Sequence, residues 1–76
     1  MEIIIKSPLM ADKIKELLNN KTIDGAGFVF ENKKGMEMTF SVSGDAIMAE
    51  DAVSIAKKAI KSTDFGKGIY FSVVSK

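Results

Sequence analysis

The side chains able to carry chemistry in this sequence are lysine, aspartate, glutamate, serine, threonine and a single tyrosine, Tyr70. Its 76 residues include no histidine and no cysteine, and every basic residue is a lysine. Without histidine, the commonest general base and neutral metal ligand is missing, which excludes catalytic triads, histidine-based zinc sites and phosphohistidine carriers. Without cysteine there is neither a disulfide framework nor a thiolate metal site. Without arginine there is no bidentate fork for phosphates or base edges. The carboxylates Asp45, Glu50 and Asp51 lie close together, but they fall at the start of an expected helix, where negative charge complements the helix dipole without a metal. Gly25-x-Gly27 is too short for a dinucleotide fingerprint and leads into a strand, and Gly66-Lys67-Gly68 lacks the spacing and the following Ser/Thr of a phosphate-binding loop. The expected protein is not an enzyme and takes no cofactor and no metal.

Lysine is what remains in quantity. Lys6 stands beside Ser7, Lys33 and Lys34 are adjacent, and Lys67 lies between two glycines. Whether these four meet depends on the elements that carry them.

The clearest element is Met36-Glu37-Met38-Thr39-Phe40-Ser41-Val42-Ser43, with apolar residues at 36, 38, 40 and 42 alternating with polar ones. Side chains of a strand alternate between faces, so this pattern predicts a strand with one buried face, in an antiparallel sheet covered on one side. Before it, Glu2–Lys6 with three central isoleucines predicts a first strand. Ser7-Pro8 suits a helix start, serine as N-cap and proline at the first position. The helix is expected from Pro8 to Asn19, with Met10, Ile14, Leu17 and Leu18 on one stripe. Lys21 to Gly27 reads as a loop, Phe28–Glu31 as a second strand, and Asn32-Lys33-Lys34-Gly35 as the turn into Met36. Ser43, Gly44 and Asp45 offer N-caps for a second helix from Ala46 to Ser62, whose inner stripe is Ala49, Ala52, Val53, Ala56, Ala59 and Ile60. Thr63–Gly68 breaks it, and Ile69–Val74 is the last strand.

The order strand, helix, strand, strand, helix, strand predicts an α+β domain spanning 1–76, a ferredoxin-like split β-α-β sheet of four antiparallel strands in the order 4-1-3-2 with two helices on one face. Gly25–Phe30 and Lys67–Phe71 each resemble the aromatic RNA-binding strand of the RRM, a module of the same order. That module stacks bases on its third strand, and here the outward residues of the third strand are Glu37, Thr39 and Ser41, which cannot stack. A net charge of +1 adds nothing for a nucleic acid to follow. No nucleic-acid partner is expected. No apolar run approaches the ~18 residues of a membrane span, so no membrane partner is expected either, and the start Met1–Lys6 lacks the features of a signal peptide, so a cytoplasmic location is expected.

Two candidate sites follow. On the face away from the helices, Ile4, Val29, Thr39, Ser41, Tyr70, Ser72 and Val74 form an interface for a second copy or another partner, making a small interaction or self-associating module. The alternative is a small anionic ligand held where three connections meet at one end of the sheet, by Lys6, Ser7, Lys33, Lys34 and Lys67 beside the N-terminus of the first helix.

Overall fold

The computed structural model describes residues 1–45 and 47–76. Eight elements follow along the chain: β1 (Glu2–Lys6), α1 (Ala11–Leu18), β2 (Lys21–Ile23), β3 (Ala26–Lys34), β4 (Glu37–Ser43), α2 (Ala49–Lys61), α3 (Asp64–Lys67) and β5 (Ser72–Ser75). The strands form one antiparallel sheet in the order β2-β3-β4-β1-β5. The architecture is thus α+β, but the sheet has five strands rather than the expected four, and a short third helix is added. No helix among the described residues is long and apolar enough to cross a membrane.

The added strand comes from the stretch expected as a loop. Asn20, in the left-handed region at φ 60°, turns the chain out of α1, and Asp24 and Gly25 (φ 49° and 84°) make a two-residue turn between Ile23 and Ala26. Positive φ at both central positions is the type I′ geometry whose twist matches a hairpin, and Asp-Gly is its preferred pair. Lys21 pairs with Phe28, beyond which β2 has no residue to offer Phe30. Asn19 takes over there, its Oδ1 accepting the Phe30 N–H at 2.9 Å.

The turn expected over Asn32–Gly35 is displaced. Lys34 pairs with Glu37, so Gly35-Met36 is the two-residue loop, with Gly35 at φ 59° in its first position. Met36 is therefore not a core residue but a turn residue, 53% exposed. Glu31 is an extra residue in β3: Phe30 pairs with Phe40, and Asn32 with Thr39. This bulge reverses the alternation of β3, turning Lys33 to the side of buried Met38 and Lys34 to the side of Glu37.

Both long helices lie on one face. The core joins Ile3, Ile5, Phe28, Met38, Phe40, Val42 and Val73 of the sheet to Ala11, Ile14 and Leu18 of α1 and Ala52, Ala56 and Ile60 of α2. Phe40 is fully buried, its ring edge-on to that of Phe30 at 5.7 Å. The small alanines of α2 let its axis approach the sheet.

Helix starts differ from expectation. Ser7-Pro8 lies before α1, whose N-cap is Met10; the Ser7 Oγ accepts the Met10 N–H at 3.2 Å. The N-cap of α2 is Met48, whose N–H donates to Asp51 Oδ2 at 3.2 Å, so Asp51 has a structural partner. Ala46, the expected first residue of that helix, lies outside the described residues. After α2, the Thr63 hydroxyl donates to the Ile60 carbonyl at 2.6 Å and accepts the Gly66 N–H at 3.0 Å, which curls the chain into α3. As a result Ile69, Tyr70 and Phe71 lie outside the last strand, which begins at Ser72.

Candidate functional site

The face of the sheet away from the helices can be laid out from the strand register, since residues paired across strands share a face. One row reads Val29, Ser41, Glu2; the next Asn32, Thr39, Ile4, Val74; the third Lys34, Glu37, Lys6, Ser72. Six of the seven expected interface residues, Ile4, Val29, Thr39, Ser41, Ser72 and Val74, are brought together on this grid. Tyr70 sits before the strand and is 86% exposed. The middle of the face is apolar or hydroxylic. Val29 and Val74 are about half exposed, at 45% and 52%, while Ile4 is partly covered between its neighbours. Charges occupy the margins and all but Lys34 are matched in pairs: Lys6 Nζ lies 3.1 Å from Glu37 Oε2, and Lys76 Nζ 3.2 Å from Glu2 Oε1.

The expected anion site is divided between two surfaces. Ser7 and Lys33 line one groove of about 310 Å³, together with the chain from Pro8 to Lys13 and the turn Gly35-Met36. Lys33 reaches it because of the bulge at Glu31. Ser7 is buried, and its polar groups are in use: its N–H donates to the Met36 carbonyl at 3.2 Å and its Oγ accepts from Met10. Lys6 and Lys34 belong instead to the open face, beside Glu37. Lys67 is in α3 and is not part of the groove lining. Lys13, outside the apolar stripe expected for the first helix, does line it. Because α1 starts at Ala11 rather than Pro8, Lys13 falls in its first turn, beside the groove.

No lysine is buried. Only Lys15 is partly covered, with its Nζ 4.3 Å from the centre of the Phe30 ring, a cation–π contact that shields the half-buried phenyl edge. Among the described residues no group of three or more His, Cys, Asp or Glu side chains is placed to hold a metal ion. Compared with known families, curated proteins and solved structures, the chain matches none. Function has to be argued from this geometry alone.

Proposed function

We propose that this protein is a small non-catalytic module that associates with a second copy of itself through the open face of its sheet. The observation that carries this reading is the arrangement of that face: an uncharged centre of Ile4, Thr39, Ser41, Val29 and Val74, with its charges confined to the margins and all but Lys34 held in ion pairs. Paired marginal charges cost little to bring against a partner, whereas lone charges at the centre would oppose it. A core this small gains stability from further apolar burial. The four longer strands, β3, β4, β1 and β5, keep the neighbour relations of a ferredoxin-like 4-1-3-2 sheet, and β2 is an addition at its edge. On this reading the face opposite the helices is the working surface. A cysteine-free chain suits a reducing compartment, and we take the site of action to be the cytoplasm.

Sedimentation equilibrium tests this. The native chain should be dimeric at ~100 µM, a level reached by weak interfaces, and Val29→Lys/Val74→Lys should make it monomeric without unfolding it. A native chain that stays monomeric at that concentration removes the reading.

A second reading, a binder of a small anion, is favoured by one observation: Lys13 and Lys33 line the same groove as the start of α1. Its test is a phosphate titration followed by amide shifts. Movement of residues 9–13 and 33–36 at millimolar phosphate, lost in Lys33→Gln, would support it, and stationary amides would end it.

A further inference from the structure

The two edges of the sheet are finished differently. The β2 edge is blunted: it is three residues long, begins with Lys21 and is bounded by the left-handed residues Asn20 and Asp24. Short length, a lysine and local twist are how proteins keep an edge from pairing further. The β5 edge, four residues long, has neither the lysine nor the left-handed residues. Its residues are Ser72, Val73, Val74 and Ser75, with no charge, proline or bulge among them.

The register fixes which main-chain groups β5 leaves unpaired. The Lys76 N–H donates to the Glu2 carbonyl and the Val42 N–H to the Met1 carbonyl, so the even residues of β1 face β5 and the odd ones face β4. It follows that Ser72 and Val74 bond inward to β1, while the N–H and C=O groups of Val73 and Ser75 point away from the sheet. No partner for them occurs among the described residues. Ser75 is exposed, but Val73 is only 3% exposed, so its outward groups lie at the bottom of a recess rather than on bare surface. Backbone groups so placed and unpaired are rare in folded proteins.

That recess is a groove of about 390 Å³ between β5 and α2, lined by Lys57, Lys61 and the chain from Ile69 to Val74. Its lining holds two ammonium groups and no carboxylate, and neither lysine is in an ion pair among the described residues. Both are exposed and long, free to swing from the groove onto a ligand. A second copy is a poor occupant here, because twofold pairing of β5 with β5 would set the same lysines of the two copies side by side.

We propose that the β5 edge binds an extended acidic peptide segment as an additional strand. Residues of the incoming strand opposite Val73 and Ser75 fall on the helix side, where carboxylates meet Lys57 and Lys61. Residues opposite Ser72 and Val74 fall on the open-face side, where apolar groups meet Val74. The recognised pattern is therefore alternating acidic and apolar residues, with main-chain bonds giving affinity and the alternate side chains giving selectivity. This surface is the edge and α2 flank, and of the face proposed above to dimerise it shares Ser72 and Val74.

The test uses the whole chain and a capped heptapeptide of alternating glutamate and valine, with glutamine and lysine versions as controls. The amides of Val73 and Ser75 should shift and gain protection from exchange, while those of Ser72 and Val74, already bonded to β1, should gain little. Lys57→Glu/Lys61→Glu should weaken the glutamate peptide at least ~10-fold, a loss of ~1.4 kcal/mol, and favour the lysine peptide. Ser75→Pro, which removes one outward N–H and leaves the β1 ladder intact, should also weaken binding while the thermal midpoint holds. Equal affinity for the glutamine peptide, or unmoved Val73 and Ser75 amides at ~1 mM peptide, overturns the proposal. So does protection of the same amides with rising protein concentration alone, which would make the occupant a second copy, or tighter binding of an oligothymidylate, which would make it a nucleic acid. The oligomeric state of Val29→Lys, whose substitution lies on β3 away from the β5 edge, reports separately on the open face.

Discussion

The two faces of the sheet are built by the same strands, often by neighbouring residues, and yet they have different physical tasks. In β1, Ile3 and Ile5 are fully buried under the helices, while Ile4 between them looks the other way and stays partly accessible. In β4, Met38, Phe40 and Val42 are buried and Thr39 and Ser41 are their counterparts on the far side. One face is committed to holding the chain together. The other mixes aliphatic and hydroxyl side chains that stay partly accessible. The difference teaches that alternation identifies the inside of a sheet firmly, but gives the outside no more than a composition.

The largest effect that would break this contrast belongs to Phe40. It is completely buried at the meeting of β4, the Phe30 ring and the helix layer. Phe40→Ala should destabilise by about 3–5 kcal/mol, which rivals the whole stability of so small a domain. Urea titration of the variant should show it largely unfolded in buffer. If it unfolds at nearly the native denaturant concentration, the covered face is not the core.

Ile5→Ala and Ile4→Ala form the sharpest pair. They remove the same atoms one residue apart. Ile5→Ala should cost about 2–5 kcal/mol and Ile4→Ala less than half as much when measured on dilute protein. The comparison also responds to concentration. If the open face dimerises, the cost of Ile4→Ala should rise with protein concentration while that of Ile5→Ala stays fixed, since only the dimer buries Ile4 further.

Gly66 tests how closely the layer covering the core is finished. A side chain built there would collide with the Ile60 carbonyl and stand 2.7 Å from the Thr63 hydroxyl, the two groups that hold the turn into α3. Gly66→Ala should therefore cost about 1–3 kcal/mol, read from thermal unfolding, whereas Gly68→Ala, where a Cβ meets nothing within 4 Å, should be nearly neutral.

Much of the fold was readable because hydrophobic period reports burial directly. The alternation at 38, 40 and 42, the stripe of Ile14 and Leu18, and the alanine-rich inner side of α2 all face the core as the pattern implies. The errors have local causes. β2 is three residues long, too short for any period, and its one signal was the Asp24-Gly25 pair, a hairpin turn in its own right. Lys33 and Lys34 read as a turn because they are polar, but a strand end projecting past the helices can be polar on both sides. The extra residue at Glu31 leaves no mark in composition, and it alone decides that Lys33 rather than Lys34 joins Ser7 in a groove. The candidate anion site was thus legible as a set of lysines sharing one end, but not as a site. The open face was legible as a list of residues, because it is simply the complement of the core.

The smallest effect concerns the margin of that face. Lys6 and Glu37 are paired across β1 and β4 at 3.1 Å, with side chains 54% and 46% exposed. At that exposure solvent screens the attraction, and breaking the pair with Lys6→Gln should change monomer stability by no more than about 0–1 kcal/mol, less at high salt. Its effect on association is the informative part. Removing one partner leaves Glu37 as a lone charge, with Lys34 as its remaining cationic neighbour across β3. If the face docks on a twin, Lys6→Gln should weaken the dimer by leaving Glu37 without its partner at 3.1 Å, and Lys6→Gln/Glu37→Gln, which also removes that carboxylate and leaves Lys34 as the one charge of the row, should recover part of the loss. A dimer indifferent to both variants would put its interface elsewhere, and the β5 edge would be the next surface to examine by the same charge exchange at Lys57 and Lys61.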